Sequence, residues 1–402
     1  MHMLHKLLIL LILVSSFCLT IQEDSEHAEL DQNTKLVIFA TRHGNRNPSK
    51  YLDNDIKTRK WGYEGVMELN TVGKREAFGF GKKLRKFLDK FVDPNYMPSE
   101  ATFMSSSASR CQMTLQTACA GLYPAKESFK WNNKLPWSPT PYVIDDNILR
   151  PYSKKNCPEV ENAWLPIDKA EPSHIKKQLN DNKNVVDYVA KESGSFGFDK
   201  MKPYNEMANV ADNLINYERF NLPPPLYLTN ATLDDYNGPK LISKVLTFAE
   251  GPQISCADDK ECGHLMGGNW VSVITTALSS RSNSKAEENI KLIGYASHTE
   301  IVLSVMKLMG VEQEEVPTGS GFVIELRDKP IWALRILKHE THYKHDKESN
   351  EMKMKDHRIE HAKYKSSLKK IAHDKQWIPL KDFVEYTSNY KLQIKTFKKF
   401  GI

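Results

Sequence analysis

The sequence predicts an α/β fold: a mostly parallel central sheet flanked by helices, with a smaller, mainly helical insertion. Three observations carry that reading. An apolar run suited to a buried strand, a polar loop and a helix-like pattern recur in that order three times at wide separations. No comparable strand signal occurs between about residues 151 and 240. The composition is globular, with 402 residues, 40% hydrophobic and 26% charged. It excludes a disordered or fibrous chain and leaves room for more than one domain.

The first twenty residues carry Lys6, an apolar run from Leu7 to Val14 and the small or polar stretch Ser15 to Thr20. This is the pattern of a secretory signal, too short in its apolar part to span a bilayer. The mature chain is therefore expected outside the cell, with no membrane span. It holds Cys111, Cys119, Cys157, Cys256 and Cys262, an odd set for an oxidising compartment. Cys256 and Cys262 flank the polar stretch Ala257 to Glu261 and suit a local disulfide; Cys111 and Cys157 are the other disulfide candidates. Nothing has a CxxC spacing, so neither a metal nor a cofactor is expected. Asn230-Ala231-Thr232 is a glycosylation sequon expected on the surface.

The strand–loop–helix units come next in order. Leu36 to Ala40 is uniformly apolar, as a strand buried on both faces requires, and Arg42-His43-Gly44-Asn45-Arg46-Asn47-Pro48 follows it. Val72 to Val92 reads as an amphipathic helix covering the sheet. Ala101 to Phe103 precedes the serines 105–107 and 109, which can cap a helix from Arg110 to Leu122. Leu292 to Ala296 precedes Ser297-His298-Thr299-Glu300 and a helix from Ile301 to Met309. Loops leaving the carboxyl ends of parallel strands converge, so these three polar segments should meet.

The expected organisation is a discontinuous core, 21–150 and 241–402, around a helical insertion, 151–240, that ends in Leu222-Pro223-Pro224-Pro225. Gly321 to Lys338 reads as a hairpin turning at Asp328-Lys329-Pro330. The formal net charge of +6 is mild and predicts no nucleic-acid partner. Most of the excess sits in residues 338–375, where eleven Lys/Arg face seven Asp/Glu and six of the thirteen histidines collect. That segment reads as a solvated, partly helical tail, with contact to a polyanion as the alternative.

The sharpest chemical signal is the heptapeptide after the first strand. Two arginine forks and an imidazole suit a tetrahedral oxyanion, and a neutral histidine among them can attack phosphorus. With this RHGxRxP motif the chain resembles the histidine acid phosphatases over most of its mature length. Trp61 to Gly65 with Leu69 to Lys74, Gly121-Leu122-Tyr123-Pro124 and Cys157-Pro158 are similar to further family segments. The resemblance implies that His43 accepts the phosphoryl group and that Arg42, Arg46 and His298 bind it.

Two departures change the functional expectation. Met104 stands where the resemblance places a third phosphate-binding arginine, and Arg110, six residues on, matches a different arginine of the family. Thr299 stands where an aspartate usually donates a proton, although His298-Thr299-Glu300 resembles a branch in which a glutamate one residue later is the acid. Secretion with both losses resembles the acid-phosphatase-like salivary proteins of blood-feeding insects, notably fleas. The chain is thus expected to be a secreted, salivary, catalytically inactive protein that sequesters small host mediators. These would be biogenic amines such as serotonin, with leukotrienes also accommodated. Its pocket would be formed by Arg42, His43, Arg46, Met104, His298 and Thr299, with Glu300 or an aromatic such as Trp137 against an amine. The alternative is an active phosphomonoesterase that uses His43 as nucleophile and Glu300 as proton donor.

Overall fold

The first apolar run becomes β1 (Thr34–Arg42) in a computed structural model that describes residues 28–52, 61–126, 129–153, 158–193, 198–284, 290–346, 351–374 and 376–390. The signal segment 1–20 and Cys157 lie outside the described residues. Along β1, Leu36, Ile38 and Ala40 enter one hydrophobic cluster while Val37 and Phe39 enter another on the opposite face. Period-two burial on both faces is what an uninterrupted apolar run encodes.

The remaining strands are β2 (Ala101–Ser105), β3 (Val143–Ile144), β4 (Leu292–Ser297), β5 (Gly321–Arg327), β6 (Ala333–Asp346), β7 (Glu351–His361) and β8 (Ile378–Pro379). They form one sheet in the order β3-β2-β4-β1-β5-β6-β7, with β8 on β6. From β3 to β1 all pairings are parallel, as expected. Beyond β1 the sheet continues antiparallel. The short connection 328–332 between β5 and β6 is the expected hairpin, and no chain that short can make a parallel crossover.

The helices that shape the site are α1 (Thr71–Leu88), α2 (Ser109–Leu122), α3 (Pro158–Asp168), α4 (Pro203–Arg219), α5 (Gly251–Asp258), α6 (Lys260–Asn283) and α7 (Thr299–Leu308). Helix α1 begins where Asn70 accepts hydrogen bonds from the Val72 and Gly73 amides, satisfying two orphan donors. The described residues between 158 and 229 are helical or irregular, and their apolar side chains, among them Val185, Met207 and Val210, share one cluster with Ile38 and Ile324 of the sheet. Cys256 on α5 and Cys262 on α6 form a disulfide, with Cα atoms 5.1 Å apart. The stretch between them is a pair of helix ends rather than a loop, and Asp259 caps α6. Among the described residues no helix is long and apolar enough to cross a membrane.

Residues 338–375 correct the expected tail. Much of the segment is strand, in β6 and β7, and it closes the sheet. His339 and His357 are buried while Lys338 reaches Glu340 and Glu360, and Arg358 reaches Asp356 and Glu360, at 3.1–3.8 Å. Charge alternating with buried side chains marks a strand ladder, which a count of net charge overlooks.

The two buried histidines form a directed chain. The Ala40 carbonyl, 3.0 Å from His339 Nε2, can only accept, so Nε2 donates to it. His339 Nδ1 then accepts from His357 Nε2 at 3.0 Å, and His357 Nδ1 accepts from Thr341 Oγ1 at 3.0 Å. Phe80 of α1 stacks on His339 with centroids 3.9 Å apart. Burial drives the His339 pKa down to about 3 and that of His357 well below the usual 6.5. Both rings are neutral when folded, so their contribution to stability is present above about pH 6.5 and is lost as pH falls toward the depressed values. The melting temperature should fall between about pH 7 and about pH 4, and His357→Gln, which keeps a donor toward His339 without a titrating ring, should flatten that fall.

A second constraint is the crossing of α1 over the loop after β1. A Cβ on Gly73 would lie 2.2 Å from the Asn45 carbonyl oxygen and 2.6 Å from its nitrogen. Gly73→Ala should therefore cost about 1–3 kcal/mol in denaturant unfolding, the range for overpacking a close contact.

Candidate active site

Register brings the three polar segments together. Arg42 pairs with Ser297 across β1 and β4, and Ser105 pairs with Ala296 across β2 and β4. His43 and His298 thus leave neighbouring strand ends, and their rings meet edge to face with centroids 5.7 Å apart. A cavity of about 530 Å³ opens over them, lined among others by His43, Arg46, Arg110, Tyr152, His298 and Glu300.

His43 is 3% exposed, and its Nδ1 lies 2.9 Å from the Gly44 carbonyl oxygen. A carbonyl only accepts, so Nδ1 carries the proton and Nε2 keeps its lone pair. Burial, then the charges of Arg110, Arg42, His298 and Arg46, hold the His43 pKa well below its ordinary value. These effects favour the neutral ring, the form in which an imidazole can act as a nucleophile. The Gly44 amide donates to Thr114 Oγ1 at 3.0 Å, and the Asn45 amide donates to buried Glu76 at 2.6 Å. Glu76 also accepts from Thr318 and Tyr343, so the loop is held at both ends.

Beside Arg46, the cavity is lined by Arg110, in the first turn of α2, with Nη2 3.2 Å from His298 Nδ1. That donor leaves Nδ1 unprotonated, and Nε2 donates to Ser106 Oγ at 3.0 Å. Met104 does not line the cavity: it lies within β2, opposite Val143 and Tyr295, partly buried against the core. Met104, expected in the pocket, is thus not among the residues that line it. Strand periodicity turns residue 104 into the packing, whereas the first turn of the helix beyond the strand points back over the strand ends. That same strand–loop–helix grammar, already evident for His43 and His298, could have identified Arg110.

Arg42 is brought close but does not line the cavity. It is 4% exposed, donates from Nη1 to the Val316 carbonyl at 2.7 Å and from Nη2 to Glu250. Arg46 pairs with Asp212 at 2.6 Å. The buried Nε atoms of Arg42 and Arg110 have no hydrogen-bond partner among the described residues. Thr299 Oγ1 donates to Glu250 at 3.3 Å.

Two carboxylates in the cavity are driven apart. Burial raises the Glu300 pKa, despite hydrogen bonds from its own amide and from Tyr152. Burial would also raise that of Glu250, but Arg42, Arg46 and the hydrogen bonds from Arg42 and Thr299 outweigh it and hold it low. Burial thus favours the protonated form of Glu300, while the arginines favour the charged form of Glu250.

The other predicted positions are scattered. Trp137 faces Trp131 away from the cavity, and Asn230 is exposed. Cys111 is a buried free thiol beneath His298, with Sγ donating to the Ser297 carbonyl at 3.3 Å and burial raising its pKa to about 11, so it is no disulfide partner here. Sequence reading missed Tyr152, Asp212 and Glu250, and also the outer wall on α3, where Glu161, Trp164, Leu165 and Asp168 face the opening. No short motif marks any of these. The only carboxylate–histidine group with metal-like spacing among the described residues is Glu340, His342 and Glu360 on the β6–β7 ladder, and Lys338 already bridges its two carboxylates.

Residues 34–326 match the histidine phosphatase superfamily (branch 2). The chain is 24% identical to the prostatic acid phosphatase of Bos taurus over 318 residues, covering 77% of this chain and 78% of that one. Among solved structures it is similar to a Klebsiella phytase, with a TM-score of 0.62 at 13% identity over 90% of this chain and 96% of that one. A Hafnia alvei phytase in complex with myo-inositol hexakis sulphate gives 0.58 at 13% identity, over 89% and 97%. With an RHGxRxP loop, a second histidine and their arginines assembled at the ends of three parallel strands, this chain belongs to branch 2 of the histidine phosphatase superfamily.

Proposed function

We propose that the protein is a phosphomonoesterase that works through a phosphohistidine and acts outside the cell. The observation that carries the reading is Arg110, which joins Arg46 in the lining of the cavity and reaches His298. The His43 Nε2 lone pair attacks phosphorus while the ester P–O bond breaks, and Glu300 gives its proton to the leaving oxygen. Water, relieved of a proton by the Glu300 carboxylate, then attacks the phosphohistidine, releasing phosphate and restoring both groups. Arg46 and Arg110 stabilise the equatorial oxygens throughout. The signal-like segment 1–20, the Cys256–Cys262 disulfide and the exposed sequon at Asn230 support an extracellular site of action.

A second reading has its own observation. The α3 wall joins Trp164 and Leu165 to the carboxylates Glu161 and Asp168, and among the described residues Asp168 accepts from neutral donors, Trp164 Nε1 at 3.1 Å and Asn205 Nδ2 at 3.2 Å. An aromatic ammonium such as serotonin suits this wall through charge and ring face. A hydrophobic carboxylate such as a leukotriene would set its head on Arg46 and its chain on Met67 and Leu165. The wall's negative charge works against a polyanion, in contrast to the hexasulphate seen in the Hafnia phytase.

Purified mature protein should hydrolyse an aryl phosphate at acid pH, and His43→Ala should abolish turnover. Arg110→Ala should lower kcat about 10²–10³-fold, and Glu300→Gln about 10²–10⁴-fold. Met104→Arg should bring no gain, because it places a charge in the packing. Since Glu300 must be protonated and His43 neutral, kcat/KM should fall as pH rises through the elevated Glu300 value, a limb that Glu300→Gln removes. A silent wild type whose Met104→Arg, Thr299→Asp double variant turns over would overturn the hydrolase reading.

The binding reading is checked by calorimetric titration with serotonin. Binding should weaken about tenfold in Asp168→Asn, the scale of one lost charged contact. Equal heats for both proteins would remove the wall from consideration.

A further inference from the structure

We propose that Glu250 is an internal occupant of the phosphate site, its carboxylate holding Arg42 until a substrate phosphoryl group displaces it. The inference rests on the hydrolase reading and deepens it. The two Glu250 oxygens are engaged as two phosphate oxygens would be: one accepts from Arg42 Nη2 and the other from Thr299 Oγ1 at 3.3 Å. Glu250 lines the cavity and Arg42 does not, so the carboxylate stands between the guanidinium and the space a ligand enters. Arg42 is 4% exposed, and its Nε still lacks an acceptor, so one carboxylate does not satisfy the fork. A tetrahedral oxyanion, with more oxygens to offer, can.

The backbone points the same way. Glu250 occupies the left-handed region, with φ 54° and ψ 16°, although it is not glycine, and it sits at the N-cap of α5 without capping it. An Asn or Asp would suit that position better, so the residue answers to something other than local structure. The longer glutamate side chain is what reaches Arg42. Thr299 fits the same arrangement. A carboxylate at 299 would face that of Glu250, whereas a hydroxyl donates to it. The threonine that reads as a lost catalytic acid is thus the second anchor of the occupant.

Inorganic phosphate binding, measured by calorimetry on the full mature chain, tests this beside aryl phosphate kinetics and thermal melts. In Glu250→Gln, which keeps shape but weakens the hold on Arg42, phosphate should bind about tenfold more tightly. KM should fall and kcat should change less. Phosphate affinity that is unchanged or weaker in a folded, active Glu250→Gln overturns the proposal. So does a loss of kcat at constant KM, which would place Glu250 in the chemistry. A wild type that neither binds phosphate nor turns over, beside a Glu250→Gln that gains phosphate binding, sinks the hydrolase reading and keeps the occupant. If neither protein binds phosphate, both ideas fall. Should Glu250→Gln fail to fold, Thr299→Val reads the same competition: a smaller gain in phosphate affinity supports the proposal and a loss overturns it.

Discussion

The parallel register of β1 and β2 against β4 is the constraint on which the rest depends. It sets Arg42 opposite Ser297 and Ser105 opposite Ala296, so residues about 190 and 255 positions apart share one strand-end layer. A slip of one residue would turn every side chain of β1 to the other face. Leu36, Ile38 and Ala40 would trade faces with Val37 and Phe39, and His43 would no longer meet His298. Two different hydrophobic clusters therefore guard the geometry of the site, one reaching it through Tyr152 and Trp164 and the other through Cys111 beneath His298.

Above that layer the difficulty is electrostatic. Three guanidiniums and two imidazoles crowd a buried space, and buried charge is stable only when paired. The resting protein answers with Glu250 on Arg42 and Asp212 on Arg46, and with neutral histidines. The same field sorts the acids. Glu300, without a cation in contact, is raised by burial, while Glu250 is held down by two arginines. One arrangement thus gathers positive charge and pushes two carboxylic acids in opposite directions, the combination that the proposed hydrolysis uses.

Much of this was legible in residue order. A five-residue apolar run before Arg42, and the matching runs before the Ser105 and Ser297 loops, announce buried strands because only residues apolar on both faces survive there. The RHGxRxP loop carries the family resemblance that the match over residues 34–326 shows. What residue order did not show shares a cause as well. Position by position, Met104 stands where the resemblance places an arginine; in space it packs against the core and the first turn of the next helix brings Arg110 to the cavity. Counted as charge, 338–375 looked like a solvated tail. Paired across β6 and β7, its histidines are buried and brace β1 through the Ala40 carbonyl.

The amino-acid order alone thus determined the strand–loop–helix units, the local Cys256–Cys262 bond and the RHGxRxP loop, because each depends on neighbours within a few residues. Only the tertiary structure decided which arginines face the cavity, in which direction burial and charge push each acid and what stands against Arg42. Those outcomes depend on distance, burial and the direction a side chain leaves its element, and residues such as Tyr152, Asp212 and Glu250 reach the site from elements whose own sequences say nothing of it.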